Sequence, residues 1–152
     1  MRLDKNVNYH LKKSLYDTYN INMSILKAFT GHLIEFVNEI RNVFPNDAHL
    51  RTGGVFLEGL VKINPKSVIV GWKECVNDLY KDNILKGDLE YFINKDYNED
   101  LEGSDNKGKI LTTIDSFRDK IRNMGDDNKK KSMKYIQNLT KLCNMYFQNN
   151  SV

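Results

Sequence analysis

Ile25-Leu26-Lys27-Ala28-Phe29-Thr30-Gly31-His32-Leu33-Ile34-Glu35-Phe36-Val37-Asn38-Glu39-Ile40-Arg41-Asn42-Val43-Phe44 is the stretch that decides the fold. Apolar residues at 25, 26, 29, 33, 36, 37, 40, 43 and 44 recur every three or four positions, which gathers them on one face of an α-helix. Lys27, Glu35, Glu39 and Arg41 fall mostly on the opposite face, so the stripe needs a partner surface and the rest needs water. Pro45 follows and pushes the residue before it out of the α region, so the helix is expected to end near Phe44. A helix of about 20 residues exceeds the average of about 11 and makes a natural spine for a helical core.

The 152 residues around this spine suffice for one domain, which at that size buries roughly two-thirds of its unfolded surface. With 40% hydrophobic and 28% charged residues the chain belongs with globular proteins, not disordered ones. Two prolines permit long uninterrupted helices, and a net charge of +3 is too small to argue for nucleic acid alone. Met1-Arg2-Leu3-Asp4-Lys5-Asn6 places charges where a signal peptide has its apolar run, and no apolar stretch approaches the length of a membrane span. The expectation is a soluble intracellular protein that is not secreted. Without a secretory route the sequons at Asn22, Asn138 and Asn149 carry no meaning.

Before the spine, Val7, Leu11, Leu15, Tyr16 and Tyr19 keep a loose three-to-four spacing. Residues 1–21 therefore read as a separate amino-terminal helix or docking arm, with Asn20 or Asn22 as cap of the spine. After it, Asn46-Asp47 caps a further helix carrying Leu50, Val55, Phe56, Leu57, Leu60, Val61 and Ile63. Gly53-Gly54 either marks a close approach within that helix or precedes its start. Asn64-Pro65 is a strong start signal, cap followed by proline at the first helical position. The next pattern aligns Val68, Ile69, Trp72, Cys75, Val76, Leu79 and Tyr80 on one face and stops at Asp82-Asn83. Gly87-Asp88 opens a shorter helix with Leu89, Tyr91, Phe92 and Ile93. Residues 94–108 are polar, acidic and turn-rich, the mark of a loop.

The last third reads as a helical hairpin. Ile110, Ile114, Phe117, Ile121 and Met124 form a two-heptad seam, with Gly125 placed as a helix stop and Asp126-Asp127-Asn128 as the next cap. Met133, Ile136, Leu139, Leu142, Cys143, Tyr146 and Phe147 line the final helix. The expectation is an all-α single domain of six to seven helices, with a long central helix and a C-terminal helical hairpin. Its divisions are 1–21 as helix or arm, 22–148 as helical domain with the acidic loop 94–108, and 149–152 as tail.

Several chemistries find no support. Asp96 to Glu102 places oxygen ligands at alternate positions, but an EF-hand also needs Gly sixth and Glu twelfth, where Leu101 and Lys107 stand. His10, His32 and His49 are scattered, and neither Cys75 nor Cys143 has a ligand-spaced companion for zinc. Both cysteines fall on apolar faces and read as buried, inert thiols, and His32 as a structural histidine. No glycine-rich phosphate loop occurs. No catalytic, metal or cofactor-binding residue is assigned, no cofactor is expected, and the chain reads as a non-enzyme.

Charge is the remaining signal. Residues 109–147 hold nine Lys/Arg against four Asp/Glu, and residues 88–107 hold seven acidic against two basic. Arg118, Arg122, Lys129, Lys130, Lys131 and Lys134 are the candidate contacts to nucleic-acid phosphates or to an acidic protein partner, against the plainer reading of a solvated face. Lys129-Lys130-Lys131 in a first helical turn would also oppose the helix dipole.

Phe36-Val37-Asn38-Glu39-Ile40-Arg41-Asn42-Val43-Phe44-Pro45-Asn46-Asp47, Ile63-Asn64-Pro65-Lys66, Asp88-Leu89-Glu90-Tyr91-Phe92-Ile93-Asn94-Lys95-Asp96-Tyr97 and Lys134-Tyr135-Ile136-Gln137-Asn138-Leu139-Thr140-Lys141-Leu142 together resemble a small helical family of large double-stranded DNA viruses of algae and protists. The likeness spans about residues 25–147 and carries no catalytic or binding residue with it. It implies a viral setting, in the host cytoplasm or the virion. The function expected is thus a non-enzymatic interaction or structural protein, such as a minor virion component, binding other protein chains through tyrosines such as Tyr9, Tyr16, Tyr19, Tyr97 and Tyr135. The alternative is a nucleic-acid-associated accessory factor that uses the basic C-terminal hairpin. Neither a membrane nor a small-molecule substrate is indicated.

Overall fold

The computed structural model describes residues 5–103 and 107–150. The chain is all-α: among the described residues there are seven α-helices, one π-helical turn and no strand. The helices are α1 (Lys5–Val43), α2 (Ala48–Ile63), α3 (Pro65–Trp72), α4 (Asp78–Lys86), α5 (Leu89–Asn94), α6 (Lys107–Arg122) and α7 (Asp126–Asn150), with the π turn at Lys73–Asn77 between α3 and α4. They divide into two compact units, one made of residues up to Leu79 and from Asn138 onward, the other of Tyr80–Gln137.

In the first unit the spine stripe is buried as its spacing requires. Ile25, Leu26, Phe29 and Leu33 of α1 form one core with Ile69 of α3 and with Leu139, Cys143 and Tyr146 of α7. The Trp72 ring meets the fully buried Phe29 edge-on, with centroids 5.9 Å apart. Thr30, inside this face, satisfies its hydroxyl by donating to the Leu26 carbonyl one turn back. The helix stops at Val43, one residue short of the position before Pro45.

At its other end α1 differs from expectation. It runs unbroken from Lys5, so residues 5–21 are the first turns of the spine and not a separate helix, and Asn20 and Asn22 lie within it. The physical reason is that neither proline nor glycine interrupts residues 5–30, and asparagine caps a helix only where the chain already turns. The part of that expectation resting on Met1–Asp4 lies outside the described residues, as do Ser151 and Val152 of the tail.

The caps of α2 and α3 follow the sequence. Asp47 accepts from the Leu50 amide at 3.0 Å. Asn64 closes α2 by donating its N–H to the Leu60 carbonyl, and its side chain opens α3 by accepting from Ser67. Gly53-Gly54 turns out to lie inside α2, and Gly54 is the close approach: a Cβ there would sit 2.7–3.0 Å from the Arg41 guanidinium of α1. That guanidinium bonds Glu58 of α2 at 3.2 Å. A glycine therefore lets the two helices share one ion pair at close range.

The π turn overturns the expectation for the next helix. One extra residue per turn rotates everything after it by about 100° relative to the 3.6-residue pattern. Cys75 is consequently exposed, not buried on an apolar face, and Leu79 is turned outward as well. Asn77 takes the buried position and donates its amide to Asn144 Oδ1 at 2.6 Å. Helix α4 also continues past Asp82-Asn83 to Lys86, because the stop is Gly87, whose φ of 73° only glycine adopts without strain.

In the second unit Ile84, Ile93, Met124, Met133 and Tyr135 are buried. Gln137 donates to the Ile84 and Leu85 carbonyls at the end of α4, and Asp88 caps α5 by accepting from the Tyr91 amide. Gly125 does not act as the expected helix stop, since among the described residues only Gly87 and Gly103 have positive φ. Helix α7 begins at Asp126, so Asp126 and Asp127 occupy its first turn, where negative charge is favoured by the dipole. Lys129-Lys130-Lys131 falls one turn later, and the expected dipole penalty is relieved. Of the expected hairpin seam, the side chains of Ile110 and Ile114 lie outside the described residues, Phe117 is exposed, and Met124 is buried against the Ser132 hydroxyl.

Candidate interaction surfaces

The first surface is the amino-terminal part of α1. Every residue from Lys5 to Ile21 is exposed, although Val7, Leu11, Leu15 and Tyr19 continue the buried stripe along the same face. Leu15 and Leu33 make the contrast plain. They are 18 residues apart, five whole turns, so they point the same way, yet Leu15 is 70% exposed and Leu33 8%. Tyr9 and Tyr16 are equally open but fall toward the opposite side of the helix. Lys5, Lys12 and Lys13 against Asp17 give the arm a basic cast. A second, smaller apolar face occupies α2, where Val55, Phe56 and Ile63 are exposed around Gly59.

The acidic segment after α5 is built around a cation. Lys95 Nζ stands 5.7, 5.6 and 5.9 Å from the ring centroids of Tyr80, Tyr91 and Tyr97, and 3.4 Å from an Asp100 carboxylate oxygen. Tyr80 donates its phenol hydrogen bond to the same carboxylate, and Tyr97 donates to the Phe92 carbonyl at 2.9 Å. Asp96 accepts from the backbone and side chain of Asn98, which holds its carboxyl below the usual range. Burial and the Asp100 hydrogen bond push the Tyr80 phenol far up. Desolvation works against the Lys95 ammonium, but hydrogen bonding to Tyr91 and Asp100 outweighs it and raises its pKa. Lys95 is therefore held as a cation and is a poor nucleophile. Of this loop, Ser104, Asp105 and Asn106 lie outside the described residues.

Two of the six basic candidates serve this segment. Arg118 lays its guanidinium 4.6 Å over the Tyr97 ring and donates to the Lys95 carbonyl. Arg122 donates to the Ile93 carbonyl at 3.1 Å, and Asp119 pairs with it at the same distance. Both thus satisfy carbonyls at the end of α5, which a helix terminus leaves without partners. Lys129, Lys130, Lys131 and Lys134 lie on α7, Lys129 half-buried and the others exposed. The sequence brought the six together by charge, whereas the structure separates two backbone-binding arginines from four lysines on one helix. Missing from the sequence reading was the tyrosine cage, whose members are spread over residues 80–118. Tyr97 and Tyr135, expected as interface anchors, are half-buried and buried, leaving Tyr9, Tyr16 and Tyr19 exposed.

A cavity of about 370 Å³ is lined by Ala28, His32, Asn138, Lys141 and Leu142. His32 Nδ1 lies 3.7 Å from the exposed Glu35 carboxylate, and neither cysteine reaches the cavity. Cys143 is fully buried with its Sγ 3.8 Å from the Ile69 carbonyl, and burial pushes its thiol up to about 11. Among the described residues no three His, Cys, Asp or Glu side chains converge as a metal site would need, and no helix is long and apolar enough to cross a membrane. Comparison with protein-family models, with curated proteins and with solved structures finds no match for this chain.

Proposed function

We propose that the chain is a non-enzymatic interaction or structural protein that joins other protein chains through the amino-terminal arm of α1. The support is a single observation: an apolar stripe, buried in residues 25–33, runs on through Leu15, Leu11 and Val7, where among the described residues it is exposed. A helix gains little by presenting leucine and tyrosine to water, and such a face is where a partner gains most. The viral setting, as a minor virion component or an infected-cell factor, rests on the resemblance of residues 25–147 alone.

A second reading is favoured by the four lysines of α7, which could meet phosphates as an accessory factor on nucleic acid. Light scattering with paired 260 and 280 nm absorbance, on protein purified at low and at high salt, separates the two. Nucleic acid-free protein at both salts is the expected result. Nucleic acid that co-elutes at low salt and is stripped at high salt would replace the first reading with the second.

A further inference from the structure

We infer that Tyr80, Tyr91, Tyr97 and Asp100 form a binding site for a primary ammonium group, which the chain's own Lys95 fills in cis. The site lies wholly within the second unit and is independent of the arm and of the function proposed for it. Its first ligand is on view: the Lys95 ammonium stands among the three tyrosine rings and pairs with Asp100 at 3.4 Å. A ring attracts any cation through its quadrupole, so the choice among cations falls to the carboxylate, which takes an N–H donor as its partner. A primary alkylammonium supplies the charge and three such donors, whereas a quaternary ammonium supplies the charge alone.

The walls of the site are fastened by contacts that the Lys95 side chain does not make. Tyr80 meets Phe92 and Tyr97 edge-on, with centroids 5.6 and 6.1 Å apart, and Tyr91 meets Phe92 at 5.2 Å. Tyr80 donates to Asp100 and Tyr97 to the Phe92 carbonyl. The Tyr97 carbonyl accepts from the Leu101 amide at 3.2 Å, and its ring carries the Arg118 guanidinium. Arg118 also holds the Lys95 carbonyl, so the backbone at 95 is anchored apart from its side chain. A site pre-formed in this way outlasts its occupant, and cutting the lysine back to Cβ leaves a slot the size of propylammonium. The Lys95 side chain is 21% exposed, so the slot has a narrow mouth to water, which admits a slender amine and not a residue with its backbone. In the native chain the tether gives Lys95 an effective concentration of about a millimolar or more, so a free amine enters only above that.

Lys95→Ala in the full chain, titrated with propylammonium chloride against sodium chloride at equal ionic strength, tests this. Proton resonances of the amine methylenes report entry, because ring currents move them when the cation sits among tyrosines. Cleavage at Glu99 and Glu102 by a glutamate-specific protease reports whether the walls close on it. The expected result is saturable shifts, with cleavage slowed at least about threefold by the amine and not by sodium. The native chain should need at least about tenfold more amine, and Lys95→Ala with Asp100→Asn should bind at least about tenfold less. Lys95→Met, whose apolar stem refills the slot, should take up none. Tetramethylammonium binding as well as propylammonium would overturn the selection by Asp100, and tighter binding of Nα-acetyl-lysinamide would overturn the assignment to a free amine. A Lys95→Ala chain that takes up no amine, whether its segment 95–103 stays packed or opens, would overturn the site itself, since the walls would then depend on the lysine.

Discussion

Leu33→Ala and Leu15→Ala make the same chemical change on the same face of one helix, five turns apart, and should differ severalfold in cost. Leu33 is packed into the core with Ile69 and Leu139, and deleting three of its carbons leaves a cavity among neighbours that relax only in part. Such changes cost about 2–5 kcal/mol. Leu15 keeps less than a third of its surface from water, so at about 2 kcal/mol for a fully buried leucine it forfeits no more than about 0.6 kcal/mol. The small gain in helix propensity from leucine to alanine is shared by both and cancels. Trp72, the only tryptophan, touches Phe29 in the same core, so its fluorescence during urea titration follows this unit alone. At about 1–3 kcal/mol per molar urea, Leu33→Ala should lower the midpoint by 1 M or more and Leu15→Ala by a few tenths. The titration is run at about 1 μM, where weak association does not contribute. Equal losses there would refute the arm as an uncovered surface, because they would show Leu15 packed within its own chain. A Leu15→Ala penalty that emerges only as concentration rises is the linkage signature of a partner.

Two further outcomes follow from the geometry. Arg118→Lys keeps the charge but loses both the planar stack on Tyr97 and the bond to the Lys95 carbonyl, so cleavage within residues 95–103 by a protease should accelerate about tenfold or more, and an unchanged rate would show the arginine to be ornamental there. Because burial raises the Cys143 thiol from its ordinary 9 to about 11, the folded state holds its proton more tightly than the unfolded one; that stabilising contribution is complete below about pH 9 and is lost as pH rises through about 11. Stability followed by Trp72 fluorescence should decline across that window, and Cys143→Ala should flatten the decline; the exposed Cys75 should react with a thiol reagent while Cys143 does not until the core opens.

What could be read from the sequence was what depends on neighbours along the chain. The apolar spacing of 25–44, the cap at Asp47 and the Asn64-Pro65 start all act within a turn or two, and each appears where its local chemistry placed it. The π turn at Lys73–Asn77 could not be read, because it leaves the 3.6-residue pattern intact on paper while rotating Cys75 out and Asn77 in. Arg118 and Arg122 looked like phosphate contacts because charge is visible in sequence, whereas the carbonyls they serve at Ile93 and Lys95 become visible only when α6 lies beside α5. The stripe at Val7, Leu11 and Leu15 was legible as apolar, but its exposure among the described residues depends on where the other helices pack and not on its own spacing.

The continuity of α1 has a further effect on how such an arm would work. A free peptide of residues 5–21 would have to nucleate its own helix, which fixes several residues for the first bond and is unfavourable by about a thousandfold. Grown from the packed turns at Ile25–Leu33, the arm skips that step and only propagates, one bond per residue. Helical order then thins toward Lys5, and the binding-competent fraction is highest at Tyr19 and Leu15 and lowest at Val7. The apparent dissociation constant is the intrinsic one divided by that fraction, so affinity falls with it. Raising helix propensity at outward positions such as Asn6 or Asn20 would thus tighten association without altering one atom of the contact face, and the arm can be tuned by sequence that never touches its partner.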